Sequence, residues 1–260
     1  MPEGPPPEPA VQKLRLRYAK RGRLRFSSHR DFQRAFERAL RRAGVPMAYS
    51  AGFNPHPKIS YANAAATGAA SEAEYVEISL TRRCDPERMR VLLDEALPPG
   101  LDVLEVVEAR PGALADRLEA SDWLVELPGA DAAAVASAVE AFLAAGTVEV
   151  ERLTKTGIRR FDAREAVLGL RLVRPGDADD TAVTERVGTD TSGSCAILRM
   201  VVRHTTPAVR PDDVLSALRA VADLAPPSPP RVTRLAQGPL DPGSGAVADP
   251  LTIDRDAVDA

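Results

Sequence analysis

Strand-like and helix-like hydrophobic patterns alternate along this chain, and their order repeats in its two halves. Polar and apolar side chains alternate over residues 13–18 and 74–80, which is the period of a half-buried strand. Residues 28–43 and 86–96 instead carry the spacing of amphipathic helices. The second half gives strand, helix, two strands, a polar loop, strand, helix and strand. Helices separated by strand pairs are typical of an α+β sandwich.

We therefore predict an α+β fold of two ferredoxin-like units, each with the order βαββαβ, with antiparallel sheets and helices on one face. A basic unit spans residues 13–112, and a second unit spans 113–237 and contains a mobile loop at 175–194. A disordered proline-rich arm at 1–12 and a disordered acidic tail at 238–260 flank the two units. One larger mixed sheet is the alternative, because periodicity does not determine strand order.

The N-terminal region carries the most detailed local predictions. The alternation of residues 13–18 resumes at 24–26 after a Lys-Arg-Gly-Arg turn, which predicts a β-hairpin with an arginine-rich face. Ser28 can cap the helix that follows, and Asp31 favours its positive end. This helix carries its arginines largely opposite an apolar stripe, and Gly44 ends it.

Charge is distributed in blocks, although the net charge is only -3. Residues 11–60, the first basic island, hold 13 basic and two acidic side chains, whereas residues 61–151 hold 6 basic and 18 acidic ones. A second basic island, residues 152–164, is typical of a loop between strands. Clustered cations attract polyanions such as nucleic acid. Mutual neutralisation of the blocks within the fold is the alternative.

We predict that these islands bind RNA. A helix N-terminus exposes amides to an anion, and nearby arginines add bidentate contacts to phosphate. Tyr49 and Phe53 offer faces for unpaired bases, unless they are buried anchors of their proline-rich loop. The predicted RNA- and phosphate-binding residues are Arg15, Arg17, Arg23, Arg25, Ser28, His29, Arg30, Arg34, Arg38, Tyr49, Phe53, Asn54, His56, Lys58, Lys155, Arg159 and Arg160.

Two of the three histidines, His29 and His56, fall within the first basic island. Such a histidine could act as general acid or base in metal-independent RNA cleavage, with arginine stabilising the phosphorane charge. Both histidines with one acid could also form a metal site. Alternatively, His29 only hydrogen-bonds near the helix cap and His56 only holds a turn. The two are therefore candidates without an assigned catalytic role, and no metal site is predicted.

Composition argues against several protein classes. No stretch approaches the roughly 18 uninterrupted apolar residues of a spanning helix, and no basic segment followed by an apolar one opens the chain. We therefore expect a cytoplasmic protein without membrane contact. Cys84 and Cys195 stand alone, which argues against a disulfide framework or a four-ligand zinc site. The sequence lacks a Walker loop, a dinucleotide fingerprint and a nucleophile elbow.

Three segments resemble a known family: residues 22–31 (GRLRFSSHRD), 49–60 (YSAGFNPHPKIS) and 71–75 (SEAEY). The chain resembles the radical-SAM-linked domain of unknown function over about residues 13–235, and residues 155–162 resemble a recurrent segment of that family. This domain occurs fused behind a cobalamin-binding radical SAM enzyme or as a separate chain. The resemblance implies an association with radical SAM chemistry, a genomic setting near RNA-processing and ribosomal-protein genes, and no settled activity.

The chain resembles the stand-alone form, because its two cysteines do not supply the three closely spaced thiolates of a radical SAM cluster. The partner would then carry the iron–sulfur cluster, SAM and, in the cobalamin-binding form, cobalamin, while this chain binds no cofactor. We expect an RNA-binding accessory module that presents tRNA or rRNA to a separate radical SAM modification enzyme. The alternatives are an RNA-acting enzyme, either a nuclease or a modifying activity, that uses His29 or His56, and a protein-interaction scaffold whose acidic face contacts the partner.

Overall fold

The computed structural model describes residues 7–155, 157–174, 178–187 and 195–255. The chain divides into two compact units: unit 1, which is Met1–Leu118 with Asp249–Ala260, and unit 2, which is Glu119–Ala248. Each unit combines helices with antiparallel strand pairs. The predicted α+β class is therefore confirmed. Within the described ranges, no helix has both the length and the apolar character needed to cross a bilayer.

Unit 1 follows the order β1 (Gln12–Lys20), α1 (His29–Arg42), β2 (Ile59–Ala62), β3 (Ala70–Leu80), α2 (Pro86–Ala96) and β4 (Leu101–Glu108). Strand β1 lies between β3 and β4, β2 pairs with β3, and all of these pairings are antiparallel. Leu14 and Leu16 of β1 pack with Phe36 of α1 and Leu93 of α2 in one buried cluster. The two helices therefore cover the face of the sheet to which the apolar residues of β1 point.

The predicted hairpin after β1 does not form. Residues Gly22–Phe26 make a 3-10 turn, in which Leu24 N donates to Arg21 O at 3.1 Å and Ser27 N donates to Leu24 O at 2.9 Å. Both edges of β1 are occupied, one by β3 and the other by β4. No edge is left for a hairpin partner, so the short alternating run folds as a turn that leads into α1.

Unit 2 follows the order β5 (Ala120–Pro128), α3 (Ala132–Ala144), β6 (Glu149–Thr154), β7 (Gly157–Asp162), β8 (Val167–Leu172), α4 (Ala178–Val187), β9 (Cys195–Arg203), α5 (Pro211–Ala222) and β10 (Arg231–Gly238). Strands β10, β5, β9 and β8 lie side by side in that order with antiparallel pairing. Strands β6 and β7 form a separate two-stranded hairpin. The second basic island, predicted as a loop, therefore lies largely in this hairpin.

Part of the predicted mobile loop at 175–194 is helix α4. Its Asp180 is buried and accepts hydrogen bonds from Arg171 of β8 and Arg199 of β9. The hydrogen bond from Arg171 is the main reason why the pKa of Asp180 lies below its ordinary value. This contact joins α4 to the sheet although the segment is rich in turn-forming residues. Residues 175–177 and 188–194 of that prediction lie outside the described residues.

Residues 249–255 belong to unit 1 and include α6 (Thr252–Arg255). Leu251 is buried in a cluster with Tyr75 of β3, and Asp254 is buried against Arg15 of β1. The C-terminal segment therefore supplies a carboxylate that neutralises a buried arginine of the sheet.

The two predicted disordered ends are described only in part. Residues 238–255 of the predicted tail differ from the prediction, because Gly238 ends β10 and the segment includes α6 and the buried Leu251 and Asp254. In the predicted arm, residues 7–10 are exposed without regular structure, and Gln12 already belongs to β1. Residues 1–6 and 256–260 lie outside the described residues.

Candidate nucleic-acid interface

Helix α1 carries an exposed row of arginines on the side away from its buried face. Its buried residues are Phe32, Phe36, Ala39 and Leu40. Arg30, Arg34 and Arg38, which we call the arginine stripe, are exposed and repeat every four residues, so they follow one side of the helix over about 12 Å. Arg41 is paired with Glu37 at 3.9 Å, but no carboxylate of the described residues forms an ion pair with the stripe.

The N-terminus of α1 is held by a reciprocal cap between Ser28 and Asp31. Ser28 Oγ accepts a hydrogen bond from Asp31 N at 3.2 Å, and Asp31 Oδ2 accepts from Ser28 N at 3.3 Å and from Ser28 Oγ at 2.6 Å. These bonds lower the pKa of Asp31, and the charges of Arg34 and Arg30 lower it further. Ser28, one of the predicted phosphate ligands, therefore has its side chain engaged in the cap that fixes where the helix begins.

Three further cations belong to the exposed part of the first basic island. Arg23 and Lys58 are exposed, and Arg25 is half-buried. The guanidinium carbon of Arg25 lies 4.7 Å from the centroid of the Phe26 ring, and its buried Nε has no hydrogen-bond partner among the described residues. A guanidinium that stacks on an aromatic ring still has N–H groups at its own edge, and these can donate hydrogen bonds to an anion.

The two arginines predicted on β1 have different surroundings. Arg15 is 0% exposed, donates from Nη1 to both carboxylate oxygens of Asp254 at 2.8 and 3.0 Å, and donates from Nε to Glu77 at 2.9 Å. Arg17 is half-buried and lies 3.7 Å from the Glu105 carboxylate. Contrary to the prediction, Arg15 is beyond the reach of an external phosphate, because its charge is already neutralised in the interior.

An exposed loop, residues 48–58, presents aromatic and polar side chains between α1 and β2. Hydrogen bonds from Ser50 N to His56 O at 2.9 Å and from Lys58 N to Ala48 O at 2.8 Å close this loop. Its exposed predicted residues are Tyr49, Phe53, Asn54, His56 and Lys58. Phe53 is 92% exposed, so it is not a buried anchor of the loop. Its free ring face is suited to stacking on an unpaired base.

The two candidate catalytic histidines have separate surroundings. His29 Nε2 lies 3.0 Å from Gln33 Nε2, and the His29 ring meets the Tyr61 ring edge-on at 5.0 Å between centroids. Burial, and then the charge of Glu37, raise the pKa of Tyr61, whose hydroxyl has no hydrogen-bond partner in the described part of the chain. His56 lies in the exposed loop. No three His, Cys, Asp or Glu residues of the described ranges could hold a metal ion.

The hairpin of β6 and β7 carries the predicted residues of the second basic island. Lys155 and Arg159 are exposed and have no carboxylate partner within the residues that the structure describes. Arg160 is also exposed, but its Nε donates to Glu151 at 2.6 Å. Two of the three predicted cations on this hairpin are therefore available to an anion.

A family model described as an uncharacterized protein conserved in bacteria (DUF2344) matches residues 13–211, about three quarters of the chain. The chain belongs to this family. The match covers the arginine stripe, the exposed loop and the hairpin of β6 and β7. It confirms the part of the resemblance that concerned a domain of unknown function. No curated protein matches this DUF2344 chain.

Sequence reasoning missed two features of the first basic island in this DUF2344 chain. Phe26 is exposed beneath the guanidinium of Arg25, and the available signal was an aromatic residue inside a basic run. Arg21, which was not predicted as a site residue, donates to Glu72 at 2.7 Å and to Asp102 at 2.8 Å, and its pKa is raised chiefly by the hydrogen bond with Glu72. Glu72 and Asp102 are distant from Arg21 in the sequence, so no local pattern indicated this pairing.

Proposed function

We propose that this chain is an RNA-binding accessory module that presents structured RNA, of the tRNA or rRNA class, to a separate radical SAM modification enzyme. The observation that carries RNA binding is the arginine stripe, which is exposed on a capped helix and has no ion-pair partner among the described residues. Like charges four residues apart destabilise a helix by about 0.2–0.5 kcal/mol per pair. A polyanion would relieve that repulsion by placing phosphates beside the guanidinium groups.

The exposed loop favours RNA with unpaired bases over a regular duplex. Phosphate contacts from arginine position a nucleic acid without reading it. Sequence-specific recognition of RNA generally uses splayed bases that stack on aromatic side chains. Phe53 supplies such a surface at the end of the loop, and Tyr49 supplies a second exposed ring. The two kinds of contact together favour a folded RNA that presents a loop or a bulge.

The radical SAM part of the proposal rests on the resemblance and on the cysteine inventory. A radical SAM cluster needs three closely spaced cysteine thiolates. This chain has two cysteines, Cys84 in unit 1 and Cys195 in unit 2. Its residues therefore do not fit such a cluster, and the cluster, SAM and, in a cobalamin-binding form, cobalamin would belong to the partner enzyme.

We also propose that each unit is ferredoxin-like. Unit 1 has the element order βαββαβ and the spatial order β4, β1, β3, β2. In unit 2 the sheet strands β5, β8, β9 and β10 follow one another along the chain, and their spatial order is β10, β5, β9, β8. As in unit 1, the last strand along the chain lies beside the first, and the third lies between the first and the second. The hairpin of β6 and β7 and helix α4 are then insertions into unit 2. They explain why unit 2 has more elements along the sequence than the βαββαβ order of unit 1.

The salt dependence of binding tests the proposal directly. Six exposed or half-buried cations, the arginine stripe with Arg23, Arg25 and Lys58, would contact phosphates and release counterions. Affinity for a fluorescently labelled tRNA mixture should then fall by roughly 10²- to 10³-fold between 50 and 200 mM salt. Fluorescence anisotropy measures this change, and a fall of less than about threefold would contradict phosphate contacts as the source of affinity.

Phe53→Ala tests base stacking separately from phosphate binding. We expect binding of tRNA to weaken by about tenfold, because stacking contributes roughly 1–3 kcal/mol per base. Binding of a blunt RNA duplex of similar length should change little, since its bases are already stacked. Phe53→Trp keeps an aromatic face and should retain affinity. Equal losses on the two RNAs, or no loss on either, would contradict a stacking role.

A further inference from the structure

Two aliphatic side chains lie unprotected near the end of the β6–β7 hairpin. Leu153 is 81% exposed and Ile158 is 67% exposed. They are directly opposite each other in the strand register, one pair before the turn. Opposed side chains of an antiparallel pair have their Cβ atoms about 4.5–5.5 Å apart, so these two form one apolar surface, the aliphatic pair. Covering such a surface with another molecule is favourable, because apolar area is then removed from water.

The hairpin is attached to unit 2 through its stem and not through the aliphatic pair. Arg152 donates from Nε to Asp213 of α5 at 3.0 Å and from Nη2 to Ala208 O at 2.8 Å, and its guanidinium carbon lies 4.8 Å from the Phe161 ring centroid. Val150, which is paired with Phe161 in the strand register, is also buried. The stem is therefore secured without Leu153 and Ile158, which are free to serve another purpose.

The charge around the aliphatic pair identifies the kind of molecule that would cover it. The segment from Arg152 to Arg160 contains four basic residues and no acidic residue. Lys155 and Arg159 are exposed and lack a carboxylate partner in the described ranges. Aliphatic side chains can insert at a base step while neighbouring cations bind the flanking phosphates. This combination fits a nucleic acid better than it fits an apolar protein surface, which would leave the cations unpaired.

We propose that Leu153 and Ile158 form a wedge that inserts beside the terminal base pair at the end or junction of an RNA helix and unstacks it, while Lys155 and Arg159 bind the adjacent phosphates. The inference rests on the proposed RNA-binding function. It assigns to unit 2 a contact with the bases that is separate from the arginine stripe of unit 1. The wedge would open a helix end, whereas the stripe would supply affinity along the phosphate backbone.

The experiment uses a stem–loop RNA with 2-aminopurine in the base pair that closes its loop. Wild-type protein should bind this RNA and raise the 2-aminopurine fluorescence, because the wedge unstacks the probe. Leu153→Ser with Ile158→Ser should bind within about threefold of wild type but lose at least half of the fluorescence rise. Leu153→Met with Ile158→Val should restore the rise.

Val11→Ser with Ile253→Ser is the matched control, since both residues are exposed aliphatics in unit 1. It should behave like wild type, and circular dichroism should show that every variant is folded. If the serine variant of the hairpin keeps the full fluorescence rise, the wedge is refuted while RNA binding stands, and a protein partner becomes the better occupant. If wild type does not bind the stem–loop, both the proposed function and the wedge fail.

Discussion

Asp254→Asn is expected to destabilise unit 1 by about 3 kcal/mol. Asp254 is buried and accepts hydrogen bonds from Arg15 at 2.8 Å, Arg117 at 2.7 Å and the backbone amide of Arg110 at 2.8 Å. Asparagine keeps the shape but removes the charge, so two guanidinium groups remain beside each other with less compensation. Removing one partner of a buried ion pair generally costs about 3–5 kcal/mol. Glu77 still binds Arg15, which places the expected loss at the lower end.

Native-state hydrogen exchange measures this loss where it arises, at the backbone amides of β1 and β3. The single tryptophan, Trp123, lies in unit 2 and is therefore a poor reporter for unit 1. Asp241→Asn is the matched control, because Asp241 is exposed and its carboxylate accepts hydrogen bonds only from its neighbours Gly243 and Ser244 among the described residues. Equal protection in the two variants would show that Asp254 is not the counter-ion on which the sheet depends.

The stability effect of Asp254 should also depend on pH. Burial alone would raise the pKa of this carboxyl, but the hydrogen bonds from Arg110, Arg117 and Arg15 outweigh burial and hold the pKa below its ordinary value of 3.8. A carboxyl with a lowered folded-state pKa stabilises the fold above its unfolded-state pKa, and the stabilisation is lost as the pH falls through the folded-state pKa. The difference between wild type and Asp254→Asn should therefore be largest near neutral pH and shrink below about pH 4.

Local signals predicted the helices of unit 1 well. The spacing over residues 86–96 predicted the bounds that α2 has, and the structure adds a cap in which Asp85 accepts a hydrogen bond from Arg88 N at 2.8 Å and Pro86 occupies the first helical position. Ser28 and Asp31 determined the start of α1 in the same way. Each of these signals depends on residues within one turn of helix. Sequence patterns describe such interactions directly.

The exposure of the arginines on β1 could not be predicted, because it depends on residues that are distant in sequence. The alternating pattern correctly placed Arg15 and Arg17 on the face of β1 opposite Leu14 and Leu16. It gave no sign that a carboxylate from α6, 239 residues later, covers Arg15. The neutralisation that we considered as an alternative to RNA binding therefore applies to the strand, while the arginine stripe on α1 has no such partner among the described residues.

The difference between strand and helix arginines leads to a prediction about which substitutions weaken RNA binding. Arg30→Ala with Arg34→Ala should weaken binding of tRNA by at least about tenfold and lower the slope of log affinity against log salt by about 2, because two phosphate contacts are lost. Alanine has the highest helix propensity, and the substitutions relieve a like-charge repulsion, so the stability of α1 should not fall. A loss of binding would therefore report on the interface and not on unfolding.

Arg88→Ala with Arg90→Ala on α2 removes the same net charge and serves as the control. Arg90 is paired with Glu87 at 2.7 Å, and both arginines belong to unit 1. If the polyanion contacts the arginine stripe, the α2 variant should keep both its affinity and its salt slope to within about a factor of two. Equal losses in the two variants would mean that RNA responds only to the total charge of the chain. The stripe would then be an ordinary solvated helix face, and the proposed contact between RNA and the stripe would have no basis.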